Sequence, residues 1–369
     1  MLANNRVASL GAWMIVVVPS NRHVSPDYLD PLLDCGHRII VVDDSPGSVQ
    51  RDHPDFEIYN WEDRKRILGD ADAFFPRRNG ACRDFGFYLA WRDADDDEII
   101  VALDDDCEVT DRAFPDLVAN ALAPGDRPTI KSTGRHANIL DAYSDVPDNL
   151  FPRGFPYEAR VGYERWETAP AEHGVPAFNL GLWTDAFDVN GIDKIMGPQW
   201  RHPDARLRSA QVSVPAGVLV SVCSMNMQFR NRLTPAAYQW PMHVPAMPGW
   251  VIDRYGDIWG GFALKLLMDR NGDQMTFGEP MIAHRKAGDM NRNIWQEHIA
   301  HYINAELIDL LVAASEDVPA DGYLNGMAAL GEGMRRRADR ASPWLRAYLA
   351  HLTPCIDAWV ATLRRARAR

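Results

Sequence analysis

Asp104-Asp105-Asp106 follows directly on Ile99-Ile100-Val101-Ala102-Leu103, and Cys107 comes next. The apolar run is short and rich in β-branched residues, so it reads as a strand buried on both faces, inside a parallel sheet. Three adjacent carboxylates repel one another and need a cation or strong donors to remain ionised together. Hard divalent cations such as Mg²⁺ or Mn²⁺ prefer carboxylate oxygens, and Mg²⁺ commonly shares them with substrate phosphates. Asp104 and Asp106 are therefore expected to flank a divalent metal that holds a diphosphate. The competing reading is a solvated acidic turn or a helix cap. Cys107 reads either as a small buried filler or as a reactive thiol beside the acids.

Other residues could complete such a site. Asp43 and Asp44 end the buried run Arg38-Ile39-Ile40-Val41-Val42, where either carboxylate could accept from a uracil imide N–H or cap a helix. Arg77, Arg78 and Arg83 surround a helix start in which Gly80, Ala81 and Gly86 allow close approach. Three arginines there could clamp phosphates bidentately with help from the helix N-terminus, or form a solvated basic face. Asn149 to Arg160 contains two prolines, a glycine and three aromatics, which suits a rigid loop that binds a sugar or base, or an ordinary crossover. Asp257 stands at the start of a helix as a cap or as the carboxylate that meets a sugar. His284, after Met281-Ile282, is a candidate for metal, for phosphate, or for a structural role.

The elements that must position these residues alternate. Met14 to Val18 is a first core strand, a helical stretch follows around Tyr28 to Leu33, and Arg38 to Val42 is a second strand. Strand, helix, strand with polar residues at each carboxyl end opens a right-handed doubly wound sheet, whose ligands bind beyond those ends. Further strands are expected at Phe178 to Asp185 and within Val212 to Cys223, and a helix from Arg254 onward. From Ile294 the pattern turns helical through Trp359 and Val360, an appendage expected to pack on the sheet or on another subunit. This divides the chain into a sheet region that carries the candidate ligand-binding residues, 1–293, and a helical extension, 294–369.

Bulk properties narrow the class. With 369 residues, 46% hydrophobic, the chain can bury a large core. A formal net charge of −12 argues against general nucleic-acid binding. Five scattered cysteines without CxxC spacing fit reduced thiols and a cytoplasmic protein. The apolar stretch Leu10 to Val18 is too short to span a bilayer, so no membrane insertion is expected.

An acid-x-acid pair past a core strand is the metal-diphosphate arrangement of nucleotide-sugar glycosyltransferases of the GT-A type. Along nearly the whole chain, the ordered set resembles the reversibly glycosylated polypeptides, the plant UDP-arabinopyranose mutases. The segments that carry the resemblance include Ile39 to Asp44, Glu57-Ile58-Tyr59-Asn60, Ala81 to Gly86, Leu103 to Cys107, Arg153-Gly154-Phe155-Pro156 and Arg160. It continues through Gly181-Leu182-Trp183, Met225-Asn226, Arg254 to Trp259, and His284 followed by Lys286. The resemblance implies an α/β, GT-A-type, Rossmann-like mixed sheet and a metal held by Asp104, Asp106 and His284. It further implies UDP-sugar contacts from Asp43, Asp44, Arg77, Arg78, Arg83, Asp105, Asn226 and Trp259, and assembly into a homo-oligomer. The activity implied is exchange between pyranose and furanose forms of a UDP-pentose. Arg153 would be reversibly glycosylated, with Arg160 supporting it and Asp257 assisting. Two alternatives stand beside this: transfer of sugar from a UDP-sugar to a separate acceptor, and a non-catalytic nucleotide-sugar-binding subunit. The chain departs from the family pattern at Asn179-Leu180, where a Ser-His precedes the Gly-Leu-Trp, and at Gly256-Asp257, where paired acids are usual.

Overall fold

The computed structural model describes residues 13–45, 47, 49, 52–132, 134–285 and 288–368. Lys286 and the first three residues of the Leu10 to Val18 stretch lie outside them. Strands β1 (Met14–Ser20), β2 (Arg38–Asp43), β3 (Phe56–Tyr59) and β4 (Ile99–Leu103) lie in the order β3-β2-β1-β4, all parallel. All five residues of β4 are buried, as a run apolar on both faces requires. The chain runs outward from β1 to β2 and β3, then returns to β4 on the other side of β1. That reversal opens a crevice at the carboxyl ends of β1 and β4, where the three aspartates emerge.

The second half adds β5 (Cys107–Glu108), β6 (Gly125–Lys131), β7 (Glu167–Gly174), β8 (Pro176–Ala186) and β9 (Arg201–His202). It continues with β10 (Gln211–Val214), β11 (Asn226–Arg230), β12 (Val244–Met247), β13 (Trp250–Ile252) and β14 (Gln274–His284). The sheet extends as β4-β11-β8-β14-β10-β6-β7, with β5 on β14 and β9 on β8, while β12 and β13 pair separately. Strand β11 is antiparallel to both β4 and β8, so the sheet is mixed. The short strand expected at Met281-Ile282 is the end of a much longer one, β14.

The helices are α1 (Trp61–Leu68), α2 (Asp84–Asp93), α3 (Phe114–Ala121), α4 (Gly191–Met196), α5 (Gly256–Asn271), α6 (Met290–Ser315), α7 (Tyr323–Arg337) and α8 (Pro343–Arg367). α2 packs on β1 and β2, and Gly86 there faces Val17 and Val42 rather than open ligand space. The C-terminal helices form one layer with the rest. Trp359 stacks on Tyr238 and donates to the Pro235 carbonyl at 3.0 Å, and Trp91 donates to Leu363 at 3.0 Å. The boundary expected at residue 294 falls inside α6, which begins at Met290 with Asp289 as its N-cap. The architecture is thus α/β with a large mixed sheet and a C-terminal helical region, consistent with a GT-A-type fold. Among the described residues no helix is long and apolar enough to cross a membrane.

Hidden inside the sheet is a ladder of polar side chains. Asn179 donates to Gln228 at 2.6 Å and accepts from Gln211 and Thr276, each at 2.8 Å. Gln228 in turn donates to Asn226, whose amide donates to the Pro280 carbonyl at 2.8 Å. Buried amides are tolerated only when their hydrogen bonds close in this way. β14 is irregular between Gly278 and Ile282, and the Glu279 and Pro280 carbonyls freed there are met by Asn179 and Asn226.

The loop that carries Arg153 is fixed by its neighbour. Gly154 has φ +87°, and a Cβ there would lie 2.1 Å from Ile258 Cγ2 on α5. Its carbonyl accepts from Asn304 at 2.9 Å, and Asn304 accepts from Trp259 at 2.9 Å. Gly154→Ala is expected to lower stability by roughly 2–4 kcal/mol, from left-handed backbone strain plus overpacking. Urea unfolding followed by fluorescence measures it, and an unchanged midpoint would contradict the packing described.

Candidate active site

The carboxyl ends of the central strands open into a cleft of about 510 Å³. Asp104 and Asp106 lie on its wall with Arg83 and His284, and Arg153, Asp188 and Asp257 form another part of the lining.

At the aspartate corner, the short strand β5 pairs antiparallel with the end of β14, setting Cys107 opposite His284. The Arg285 amide donates to the Asp106 carbonyl at 3.0 Å and extends that pairing. His284 Nδ1 donates to the Ala186 carbonyl at 2.6 Å, which turns Nε2 toward Asp106, 3.9 Å away. Octahedral coordination at about 2.1 Å places two donors roughly 3–4 Å apart, so this pair fits a shared Mg²⁺ or Mn²⁺. Burial, reinforced by the Asp104 charge, raises the Asp106 carboxyl above its ordinary range, and the His284 imidazole opposes that shift. Arg22 donates to the other Asp106 oxygen at 3.2 Å, and a bound cation would relieve the group further. Asp104 is already engaged by Arg83, and Asp105 by Arg22 and by the Ser20 hydroxyl at 2.5 Å. Asp105 faces a smaller neighbouring pocket with Arg22 and Arg285. Among the described residues, the group of three donors that closes within 4.8 Å is a different one, Asp34, His53 and Asp55. Cys107 is fully buried and its thiol is pushed well up by burial, which leaves it the small filler of the two readings.

The arginines divide. Arg83 is buried, donates to Asp104 and holds the Ser224 carbonyl at 2.8 Å. Arg78 lines the cleft from a left-handed backbone position, φ +56°. Arg77 does not line it: it pairs with Asp72 at 2.9 Å and lies over Trp61. Asp43 is buried and accepts from Ser45. Asp44 accepts from Trp61 Nε1 at 2.9 Å and from the Asn79 amide at 2.7 Å, orienting the segment that carries Arg78.

Arg153 is the most constrained side chain of the cleft. Its Nε and one terminal nitrogen donate to Asp188 at 3.0 and 2.9 Å, and both terminal nitrogens donate to Asp257 at 3.1 and 2.9 Å. The Arg254 carbonyl accepts from it as well. Burial alone would lower the guanidinium pKa; the Asp188 and Asp257 carboxylates overcome it and hold the group well above its ordinary value. Asp257 sits in the first turn of α5, where the notch left by Gly256 explains a family departure. A Cβ at 256 would lie 2.2 Å from the Trp240 carbonyl oxygen, so this backbone admits no acid there.

Besides Asp43, Asp44, Arg77 and Asp105, three more expected contacts lie outside the cleft lining. Arg160 does not line the cleft; it is held by Asp193 through two bonds of 3.0 Å and lies between the Phe151 and Tyr157 rings. Asn226 is fully buried as part of the polar ladder beside Met225, which does line the cleft. Trp259 is fully buried against Tyr255 and Tyr348. These three side chains do not line the cleft.

Sequence reasoning passed over Asp188, Lys194 and Glu297. Asp188 lies just beyond the end of β8, a position where an acid past a buried strand was already a signal at Asp104. Glu297 is a fully buried acid on α6 that accepts from Arg254 at 3.0 Å and from the Gly191 amide at 2.8 Å.

With this geometry, residues 15–363 match the model of the reversibly glycosylated polypeptide family. The chain is 28% identical to the probable UDP-arabinopyranose mutase 1 of Solanum tuberosum over 93% of this chain and 89% of that protein. It is 27% identical to UDP-arabinopyranose mutase 3 of Arabidopsis thaliana over 93% of this chain and 90% of that one. UDP-arabinopyranose mutase 1 of Oryza sativa subsp. japonica is likewise 27% identical, over 93% and 89%. With a match that leaves out little but the two ends, the chain belongs to the reversibly glycosylated polypeptide family.

Proposed function

We propose that this protein is a UDP-sugar mutase that interconverts the pyranose and furanose forms of a UDP-pentose of the arabinose type. The observation that carries the reading is one cleft in which the Asp106–His284 pair and the Asp188–Arg153–Asp257 clamp both face the same space, in a chain of this family. Asp104, Asp106 and His284 would hold Mn²⁺ or Mg²⁺. Bound there, the cation supplies positive charge to the diphosphate oxygens.

Ring exchange requires the anomeric carbon to leave the diphosphate, the ring to open and reclose on a different hydroxyl, and the diphosphate to return. Arg78 stands where it can receive diphosphate oxygens, and Arg83 keeps Asp104 in place. Each donor aimed at charge that develops on the leaving group is worth about 3 kcal/mol, a hundredfold in rate. In a covalent route an Arg153 nitrogen attacks the anomeric carbon as the carbon–oxygen bond to the diphosphate breaks, and the guanidinium proton passes to Asp257. Returning diphosphate later displaces that nitrogen, which recovers its proton. The double carboxylate clamp supports a second version: a guanidinium held so firmly as a cation is a poor nucleophile, and Arg153 then acts on the sugar by charge alone. Arg160 supports the loop from outside the cleft. A homo-oligomer and a cytoplasmic location belong to the same proposal; free cysteines at all five positions suit the latter.

Incubation with UDP-arabinopyranose and Mn²⁺, with the nucleotide sugars resolved afterwards, should yield the furanose form. Hydrolysis alone, or transfer to an added acceptor, would replace the reading with a transferase; metal-dependent UDP binding without turnover would make it a binding subunit. Arg153→Lys separates the two routes: full mutase activity with no sugar on the protein eliminates the covalent one. Asp106→Asn should reduce turnover by about 100-fold or more and weaken the Mn²⁺ dependence of UDP binding, read by calorimetry. Asp188→Asn, leaving Arg153 with one carboxylate, should cost about 3–5 kcal/mol of stability by urea unfolding.

A further inference from the structure

Lys194 stands on α4, past the carboxyl end of β8, and lines the same cleft. It is only 5% exposed. The cleft has two other buried cations, and both are spoken for: Arg83 by Asp104, Arg153 by Asp188 and Asp257. Among the described residues, no carboxylate lies within ion-pair distance of the Lys194 ammonium and no acceptor within hydrogen-bond distance. The Trp200 ring lies beside it, 5.4 Å from nitrogen to centroid. The groups that face it are Asp188, Arg254, Arg153 and Glu297. Of these the two acids are already occupied, Asp188 by Arg153 and Glu297 by Arg254. Burying a charge without a counter-charge is costly, and burial pulls the Lys194 pKa below the ordinary lysine value, ahead of the attraction from Asp188. A cation left so incomplete in the empty cleft becomes complete only when a ligand brings an anion.

We infer that Lys194 binds an anionic oxygen of the sugar nucleotide directly, as a buried lysine of the cleft that, among the described residues, has no ion-pair partner. The inference rests on the nucleotide-sugar reading above. Within that reading the diphosphate is the anion at hand, and a carboxylate on a uronic sugar is the other source of the same chemistry. Contact with the diphosphate would make Lys194 a substrate-binding residue whose ammonium also meets the charge that grows as the sugar leaves.

Thermal shift and calorimetry on Lys194→Met and on the unmodified protein, with Mn²⁺ and each of UDP, UDP-arabinopyranose and UDP-galacturonic acid, test this. Without ligand the methionine variant should melt no lower than the unmodified protein, because an uncompensated buried charge has been removed. Ligand should then bind about 10- to 100-fold more weakly, the range of a charge-assisted hydrogen bond. Equal weakening for all three ligands assigns the contact to the diphosphate; weakening for the uronate alone assigns it to the sugar carboxylate. Lys194→Arg should recover part of the loss. Affinities unchanged in Lys194→Met would overturn the inference while the nucleotide-sugar reading stands, and no binding of any of the three by the unmodified protein would overturn both. Lys194→Gln provides the same comparison if the methionine variant does not fold.

Discussion

A buried guanidinium held between two carboxylates is the constraint around which the rest of the cleft is arranged. Arg153 comes from an irregular loop, Asp188 from the exit of β8 and Asp257 from the first turn of α5. Removing either carboxylate would leave the buried guanidinium short of a partner, and an unpaired buried ion costs more than folding can spare. Their mutual dependence ties a loop, a strand end and a helix start to one point. Asp188 shows the balance: burial would raise its carboxyl, yet Arg153 holds it below the ordinary range.

Much of the nucleotide half was legible from the residues. Met14 to Val18, Ile39 to Val42 and Ile99 to Leu103 are apolar on both faces, as strands covered on both sides require. Their order and the acids at their ends then located the crevice. The second half was harder for a physical reason. β14 begins with Gln274 and carries Thr276, Glu279 and Pro280, so it lacks the apolar signature and only its last residues read as strand. Its polar side chains belong to the ladder through Asn179, Gln211, Gln228 and Asn226, which pair with one another across strands distant in sequence. No local pattern announces a hydrogen bond between residues 179 and 228.

Individual site residues followed the same division. Asp104, Asp106, Arg78, Arg83, Asp257 and His284 were singled out by type and placement and Arg153 by the family resemblance, and all line one cleft. Asn226 and Trp259 lie beside lining residues in sequence but point into the core, because β11 alternates its faces and α5 buries nearly all of its circumference. Asp188 escaped because the strand before it ends at Ala186 and Phe187 intervenes, so the acid looked like part of a loop. Lys194 escaped for a similar reason, since a lysine on a short helix ordinarily faces solvent.

The pairing of β5 with β14 has a consequence of its own. Cys107 and His284 are register partners, so the two arms of the aspartate corner are joined by sheet hydrogen bonds instead of by pliant loops. Side chains alternate along a strand, and a slip of one position would turn the imidazole to the opposite face. Descendants of this protein can therefore exchange the residues of the corner one at a time, but they cannot lengthen or shorten either arm by a single residue without dismantling it.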